Sequence, residues 1–377
     1  MATRVIFWSE LFWPYIGGAE VFGTNLLLAL RERNYEVIVV TRQSPELAQE
    51  DHYRGIPIFR FPFYDAITTH NTERVLSTRQ RFAHLKRTFA PDLVHVHGFG
   101  PSLFFYLDTA TVAPAPLLVT LIIELSHPTQ KHRMLERVVS SAQWVTGKSA
   151  TVLTEARQLV PQIRNRSSVV HNGLEVPDIE PTSLALSPPR LLCLGRLDNQ
   201  KGFDLALTAM ARITQRFPSA RLIIAGDGIE RPQLERQAAE LRLSHVVDFL
   251  GWVPPHEVFD LINTATMVLM PSRWEGLPSV ALQASIMARP IVGAKVSGIS
   301  DVVVHQKTGL LVDREDAGGI ARAVIALLDH PDSAMQMGQA GRHRVREVFS
   351  WEQCVNAYDE LWRDLSSRVM TPSQFAS

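Results

Sequence analysis

Residues 191–204 read LLCLGRLDNQKGFD, and this stretch decides how the second half of the chain folds. The four apolar residues at its start are typical of a buried strand, and a glycine and an arginine follow at once. Lys201 and Gly202 then precede a segment with helical spacing. The stretch therefore predicts a strand, a turn that carries two cations, and a helix, which together begin a βα unit.

The same alternation of short apolar runs and longer amphipathic segments extends along the chain in both directions, and it predicts two series of parallel strands. A proline-rich stretch from Val176 to Pro189 separates the series. We place an interdomain linker there, because proline interrupts helices and central strands. The predicted strands are 5–8, 37–41, 56–61, 93–97, 117–123, 145–148 and 169–172 in the first series, and 191–194, 222–225, 247–250, 268–270, 291–292 and 310–312 in the second.

The predicted fold class is α/β, with two Rossmann-like, doubly wound domains that face each other across a cleft. We predict the first domain at residues 1–178 and the second at 179–350. A final helical pattern at 351–366 has no strand of its own to cover, so the open flank of the first domain is its candidate packing site. Residues 367–377 are predicted to fray.

Composition narrows the function classes. The 377 residues include 38 Lys and Arg against 38 Asp and Glu, so no global basic field is present to bind nucleic acid. Two cysteines, Cys193 and Cys354, are too few for a disulfide scaffold and indicate a reducing compartment. The N-terminal apolar stretch is too short for a signal peptide, so we expect a soluble, cytoplasmic protein.

Three glycine- and charge-bearing turns are candidate binding elements. Gly17 and Gly18 follow the first strand, where backbone amides and a helix N-terminus can approach an anion, although a tight turn alone is the alternative. Arg196 and Lys201 follow the strand at 191–194. Arginine offers phosphate a bidentate fork and lysine a point charge, so the two together suit a diphosphate better than they suit the alternative of solvated loop charges.

The third element reads MPSRWEGLPSVALQA over residues 270–284. Here a strand ends, a loop carries Glu275 and Gly276, and a helix begins at about Pro278, where proline is tolerated. A carboxylate in such a loop can accept hydrogen bonds from sugar hydroxyls, and the amide of Leu277 can point at an anion. Gln283 lies two helical turns in and can reach a ribose.

These residues resemble the retaining glycosyltransferases of family four, which have the GT-B fold. The resemblance covers essentially the whole chain and rests on the order and the intervals of many motifs. They are Gly17-Gly18-Ala19-Glu20, Val94-His95-Val96-His97-Gly98, His171-Asn172-Gly173, Gly195-Arg196-Leu197, Lys201-Gly202, Ala225-Gly226-Asp227-Gly228, Phe249-Leu250-Gly251-Trp252-Val253 and Glu275-Gly276-Leu277-Pro278.

The resemblance implies roles for individual residues. Arg196 and Lys201 would bind the diphosphate of a nucleotide sugar, and Glu275 would hold hydroxyls of the donor sugar. Gly17 and Gly18 would close over the phosphates. The nucleotide base would be lined by the segment Leu250 to Val253, which includes Gly251, Trp252 and Val253. The final helix would cross back to the first domain.

The family also implies transfer with retention of anomeric configuration, by a same-face substitution that needs no protein nucleophile. The donor would be a UDP-sugar or, next, a GDP-sugar, and the acceptor would be a carbohydrate or a lipid-linked molecule. No further cofactor is expected. The sequence contains no Asp-x-Asp, the carboxylate pair that holds a metal in the other glycosyltransferase fold, so a metal-independent reaction is expected.

Two positions depart from the family pattern. Gln283 stands where relatives usually have a glutamate that contacts the ribose, and an amide can still hydrogen-bond hydroxyls. Ile122 stands where many relatives place a histidine that meets the donor sugar. His127 is one substitute, with a solvated loop histidine as the alternative. His97, at the carboxyl end of a strand, is the better candidate for a catalytic role, and a packed histidine at a strand end is its alternative.

Two other functions are compatible with the sequence. One is another enzyme of the same gross fold, such as a sugar-nucleotide epimerase or a relative of glycogen phosphorylase. The other is a catalytically silent relative that binds nucleotide sugars, a hypothesis motivated by Ile122.

The segment 74–89 predicts a basic amphipathic helix. From Arg74 through Arg87 it carries five cations and no carboxylate, and Val75, Phe82, Leu85 and Phe89 repeat at helical spacing. Such a helix can lie on anionic lipid, which predicts contact with the inner membrane surface. The alternative is a helix whose apolar stripe packs on its own sheet. The cations are Arg74, Arg79, Arg81, Lys86 and Arg87.

Overall fold

The computed structural model describes residues 2–15, 17–69, 71–123 and 132–367. The chain forms two compact units. The first contains Met1–His171 and Gln353–Ser377, and the second contains Asn172–Glu352. The division falls shortly before the expected boundary at 178, and the chain returns to the first unit near its C-terminus.

The first unit is built on an eight-stranded sheet in the order β3-β4-β2-β1-β5-β6-β7-β8. All neighbours are parallel except β3 and β4. Buried apolar residues of the strands form the centre of the hydrophobic core. The strands are β1 Thr3–Ser9, β2 Tyr35–Arg42, β3 Glu50–Tyr53, β4 Ile56–Phe61, β5 Leu93–His97, β6 Leu117–Leu121, β7 Trp144–Gly147 and β8 Ser167–Val169.

Strand β3 is absent from the prediction, because its sequence, Glu-Asp-His-Tyr, is polar and mostly exposed. It lies at the edge of the sheet and pairs with β4 alone. An edge strand with little burial leaves no apolar pattern for the sequence to reveal.

Helices cover the first sheet. In the first of them, Leu26, Leu27 and Leu30 are buried, as the helical spacing predicts. The described helices of this part of the chain are α1 Gly18–Arg31, α2 Phe63–Thr68, α3 Thr72–Phe89, α4 Leu103–Asp108, α5 His132–Ser141 and α6 Ala150–Leu159, with a 3₁₀ turn at Pro161–Arg166.

Helix α3 corrects the expectation of a lipid-facing apolar stripe. Phe82 is fully buried, and Val75, Leu85 and Phe89 pack against the core of the first unit. Lys86 is buried as well: its Nζ donates to the carbonyl of Thr109 at 2.9 Å, and burial lowers its pKa to about 8. The apolar stripe therefore serves the protein's own core, and Lys86 is not a surface cation.

The second unit contains a six-stranded, all-parallel sheet in the order β11-β10-β9-β12-β13-β14. Its strands and helices alternate along the chain, as the sequence predicts. The strands are β9 Arg190–Leu194, β10 Arg221–Ala225, β11 Val247–Gly251, β12 Met267–Met270, β13 Ile291–Ala294 and β14 Gly309–Val312. The helices are α7 Phe203–Arg216, α8 Arg231–Glu240, α9 Val258–Asn263, α10 Ser279–Ile286, α11 Ile299–Val302, α12 Ala317–Asp329 and α13 Pro331–Val348, with 3₁₀ turns at Asn199–Lys201 and Pro255–Glu257.

The last helix, α14 (Trp351–Ser366), packs on the first unit, which confirms its predicted return. The hydroxyl of Tyr35 donates to Oδ1 of Asp359 at 2.8 Å, and Nε1 of Trp362 donates to Nδ1 of His95 at 3.2 Å. Both contacts are buried. Only Ser367 of the predicted frayed tail lies among the described residues. None of the described helices combines the length and apolar content needed to cross a bilayer.

Candidate active site

Strand order places the candidate site at the middle of the second sheet. From β9 the chain runs outward through β10 and β11, and it then returns to the other side of β9 with β12. The connections that follow β9 and β12 therefore run to opposite sides of the sheet. Ligands of open α/β sheets bind at such a point, beside the carboxyl ends of the strands. Two of the predicted motifs, at 195–202 and 271–278, follow these two strands.

The two motifs meet in a short ion pair. Nζ of Lys201 donates to Oε1 of Glu275 at 2.6 Å, and Oγ of Ser272 donates to the same oxygen at 2.9 Å. The Lys201 side chain is 18% exposed and that of Glu275 is 5% exposed. Oε2 of Glu275 receives no hydrogen bond from the described residues, so one carboxylate oxygen is left for other donors.

Close backbone packing forms the floor beside this pair. Gly226 has φ +134°, and a Cβ on it would lie 1.8 Å from the carbonyl oxygen of Gly195. The amide of Gly226 donates to the carbonyl of Gly251 at 2.7 Å, which joins the ends of β10 and β11. A glycine is required at 226, since any side chain would separate the turn after β10 from the turn after β9.

Arg196 extends into solvent from the turn after β9. Its side chain is 70% exposed, and its guanidinium contacts Oδ2 of Asp198 at 3.4 Å. A surface pair of this kind holds a side chain weakly. The structure thus places Arg196 at the predicted sheet edge, as an exposed cation in the same turn as the half-buried Lys201.

The loop after β12 leads into helix α10. Glu275, Gly276 and Leu277 are buried, and the helix begins at Ser279, next to Pro278 as predicted. The N-terminus of this helix adds partial positive charge near the ion pair. Gln283 is half-buried and lies one turn into the helix, not two as predicted, because the helix begins at Ser279.

The segment predicted to line the nucleotide base follows β11. Trp252 is 59% exposed, whereas Val253 is half-buried and packs against the second unit's core. Gly251 ends the strand, with φ +76°. Hydrogen bonding to Gly226 places this segment beside the turn after β10.

Sequence reasoning missed Arg273, which lies two residues before Glu275. Its side chain is only 17% exposed, and hydrogen bonding to Asp204 raises its pKa further above the usual value. The guanidinium contacts Asp204 through two nitrogens, and it also contacts Glu315 and the carbonyl of Asn199. The sequence places Arg273 in the motif at 270–284, but it does not show which residues the guanidinium contacts. These partners are 42 to 74 residues away.

The first unit holds the remaining predicted residues. Gly17 precedes α1 as its N-cap and Gly18 is its first residue, so the glycine pair lies at a helix N-terminus as predicted. His97 ends β5 and is 2% exposed. Its ring stacks on Phe7 and Phe22, and neither ring nitrogen has a hydrogen-bond partner among the described residues.

A buried amine lies next to this histidine. Burial lowers the pKa of Lys148 to about 7. Its Nζ donates to the hydroxyl of Tyr358 at 3.1 Å and lies 3.4 Å from the centre of the Phe22 ring. Burial, then the charge of Lys148 and then His95, hold the pKa of His97 well below its usual range. His97 is therefore a neutral, enclosed ring.

Ile122 follows β6 and is half-buried beside Gly98, where a Cβ on the glycine would lie 3.1 Å from its Cδ1. An aliphatic side chain thus occupies the position where the family resemblance led us to expect a histidine. His127 lies outside the described residues.

Solved structures with the same fold identify the class of this protein. Sucrose-phosphate synthase from Thermosynechococcus elongatus superimposes with a TM-score of 0.81 at 22% identity, covering 96% of this chain and 99% of that chain. HepE from Anabaena, in complex with UDP and glucose, superimposes with a TM-score of 0.80 at 19% identity, covering 96% of this chain and 100% of that one. The two Rossmann-like domains define a protein of the GT-B fold class, as predicted.

Sequence comparison then gives the family. The model described as Glycosyltransferase Family 4 matches residues 16–176, and the model described as Glycosyl transferases group 1 matches residues 178–344. A glycogen synthase from Mycobacterium tuberculosis is 26% identical over 293 residues, which are 73% of this chain and 69% of that protein. The chain belongs to family four of the glycosyltransferases, which confirms the resemblance found in the sequence.

Proposed function

We propose that the protein transfers a hexose-type sugar from a nucleotide-diphosphate donor to a hydroxyl of a carbohydrate or lipid-linked acceptor, with retention of anomeric configuration. The observation that carries this proposal is the 2.6 Å pair between Lys201 and Glu275 at the carboxyl edge of the second sheet. A cation suits a diphosphate, and a carboxylate suits sugar hydroxyls. The pair therefore offers complementary groups to both halves of a nucleotide sugar.

Catalysis in this proposal is electrostatic. The bond from the anomeric carbon to the diphosphate oxygen breaks, and the acceptor oxygen bonds to the same face of that carbon. The proton of the acceptor hydroxyl passes to the leaving diphosphate oxygen. Negative charge grows on the leaving diphosphate, and the positive charge of Lys201, of Arg196 and of the N-terminus of α10 stabilises it. Glu275 holds the sugar through its hydroxyls.

A UDP-sugar is the first donor to test and a GDP-sugar the second. The structural neighbour HepE was solved with UDP and glucose, which supports the first choice. We propose that the reaction is independent of metal, because the sequence has no Asp-x-Asp. Full activity in the presence of a chelator is the expected result.

The decisive experiment measures release of nucleoside diphosphate with and without candidate acceptors. Release that requires an acceptor supports the transferase, whereas conversion of the donor sugar without an acceptor would indicate an epimerase. A preceding thermal-shift panel of nucleotide sugars selects the donor, since a ligand at 100 times its Kd stabilises by about 2.7 kcal/mol. Stabilisation by a donor, without turnover on any acceptor, would favour the silent relative.

Contact of residues 74–89 with a membrane stays a prediction, and it now depends on the exposed cations alone. Arg74, Arg79 and Arg87 are exposed on α3, while the apolar stripe is packed inside. Any binding to anionic vesicles would then be electrostatic and would be lost at high salt. Co-sedimentation at low salt, compared with a variant in which Arg74, Arg79 and Arg87 are changed to Gln, tests it.

A further inference from the structure

We propose that Arg273 is a positioning residue that sets the geometry of the Lys201–Glu275 pair by tying together the two loops that carry it. The inference deepens the proposed function and rests on it. Arg273 forms no hydrogen bond or ion pair with Lys201 or with the side chain of Glu275 among the described residues, so its effect would be transmitted through the loops.

The guanidinium of Arg273 uses every N–H group that it has. An arginine offers five donors in a planar fork. Nη1 donates to the Asn199 carbonyl at 2.8 Å and to Oδ1 of Asp204 at 2.9 Å, and Nη2 donates to Oδ2 of Asp204 at 2.8 Å. Nε and Nη2 donate to the two carboxylate oxygens of Glu315, at 2.8 and 3.2 Å. Because every donor of the guanidinium is engaged, the Arg273 side chain is held in a single orientation.

Two of these partners flank Lys201 closely in sequence. Asn199 opens the 3₁₀ turn that ends at Lys201, and Asp204 lies in the first turn of α7, just beyond it. Because the guanidinium holds both ends of this short segment, the backbone that carries Lys201 is fixed to the loop that carries Glu275.

Hydrogen bonds to backbone carbonyls also join the two loops. The amide of Arg273 donates to the carbonyl of Gln200 at 2.8 Å, and Nε2 of Gln200 donates to the carbonyl of Trp274 at 3.1 Å. Gly202 has φ +65°, and a Cβ on it would lie 2.3 Å from the carbonyl oxygen of Pro271. A side chain at position 202 would therefore push apart the two loops that carry Lys201 and Glu275.

Lysine cannot replace arginine in this role. Its ammonium has three donors on a single nitrogen and no planar fork, so it cannot make the five hydrogen bonds that Arg273 makes to two carboxylates and a carbonyl. Arg273→Lys therefore keeps the charge and removes the linkage. Arg322→Lys is the matched control, because Arg322 pairs with the single carboxylate of Asp316 and is 73% exposed.

The first measurement does not depend on turnover. The rate at which an acylating reagent modifies Lys201 is followed by peptide mass analysis in the wild-type protein, Arg273→Lys and Arg322→Lys. We expect at least a threefold rise in Arg273→Lys alone, since loosening the loops frees the ammonium from Glu275. An unchanged rate in Arg273→Lys would overturn the inference.

The second measurement is a double-mutant cycle on kcat. Arg273→Lys is expected to lower kcat at least tenfold in the wild-type background, at a temperature where the variant is folded, and less than twofold in a Lys201→Ala background. Equal losses in both backgrounds would show a general structural role and overturn the inference. If Arg273→Lys fails to fold, Asp204→Asn breaks the same linkage and takes its place in both measurements.

The outcomes separate the two proposals. A wild-type protein that turns over no nucleotide sugar contradicts the proposed function, and the labelling rate of Lys201 still decides the inference about Arg273. A working transferase with unaltered labelling in Arg273→Lys contradicts only the inference.

Discussion

Lys201 donates a 2.6 Å hydrogen bond to Oε1 of Glu275, across 74 residues of sequence. This pair joins the turn after β9 to the loop after β12, at the point where the second sheet changes direction. Because Ser272 donates to the same oxygen, the carboxylate is fixed in orientation and its other oxygen accepts nothing from the described residues. The site therefore offers one cation and one carboxylate oxygen in a mostly buried setting.

Removal of the mostly buried cation, Lys201, or of the exposed one beside it, Arg196, should slow transfer sharply. We expect Lys201→Ala and Arg196→Ala to lower kcat by two or more orders of magnitude, because each loses roughly 2–4 kcal/mol of stabilisation of the leaving diphosphate. Steady-state kinetics with the donor identified by thermal shift provide the measurement. Lys307→Ala, which removes an exposed lysine, is the control and should behave as wild type. Near-normal rates in both site variants would reject the assignment.

Glu275→Ala should abolish transfer. It removes the acceptor for sugar hydroxyls and leaves the Lys201 ammonium without its carboxylate in a largely buried position. Calorimetric titration with the nucleotide sugar, together with the rate assay, separates binding from chemistry. Glu240→Ala changes an exposed glutamate of α8 and serves as control. Survival of both donor affinity and rate would reduce Glu275 to a loop residue.

Ser272→Ala tests the orientation of Glu275. Loss of the 2.9 Å hydrogen bond should cost about 1 kcal/mol, and we expect a several-fold fall in kcat with a small change in Tm. Ser300→Ala, an exposed serine in α11, provides the comparison. If kcat in Ser272→Ala equals that of Ser300→Ala, Lys201 alone suffices to orient the carboxylate.

Lys148 should make stability depend on pH. Burial lowers its pKa from 10.5 to about 7 in the folded protein. Between these values the unfolded chain binds more protons, so this group makes the free energy of unfolding rise with pH, by about 1.4 kcal/mol per pH unit. Below pH 7 both states are protonated, and its destabilising contribution is largest and constant.

The comparison with Lys148→Met isolates this contribution. Met keeps the aliphatic length and removes the amine, so its Tm advantage over wild type should be greatest below pH 7 and should shrink as the pH approaches 10. Thermal unfolding of both proteins at pH 6, 8 and 9.5 provides the measurement. A Tm difference that stays constant over this range would show that Lys148 keeps an ordinary pKa inside the fold.

Prediction of the fold succeeded where burial is continuous. Strand β5 has the predicted limits and is buried at every position, as is typical of a strand inside a parallel sheet. Strand β4 also has the predicted limits, although Pro57 in it is exposed. Strand β3 was missed because an exposed edge strand has no such pattern. The amphipathic pattern of α3 was recognised, but such a pattern does not show whether lipid or protein covers the apolar face. In the structure this face packs against the core of the first unit, and Lys86 is buried.

The sequence by itself determined the alternation of strands and helices, the family, and the local motifs that hold Arg196, Lys201 and Glu275, because each of these depends on residues close together in the chain. Only the tertiary structure decided which groups meet. Lys201 reaches Glu275 because β9 and β12 lie side by side, with Val268 opposite Leu192. Arg273 likewise contacts Asp204 and Glu315 only in the folded chain. Such contacts join residues distant in sequence, and no local pattern records the strand pairing that creates them.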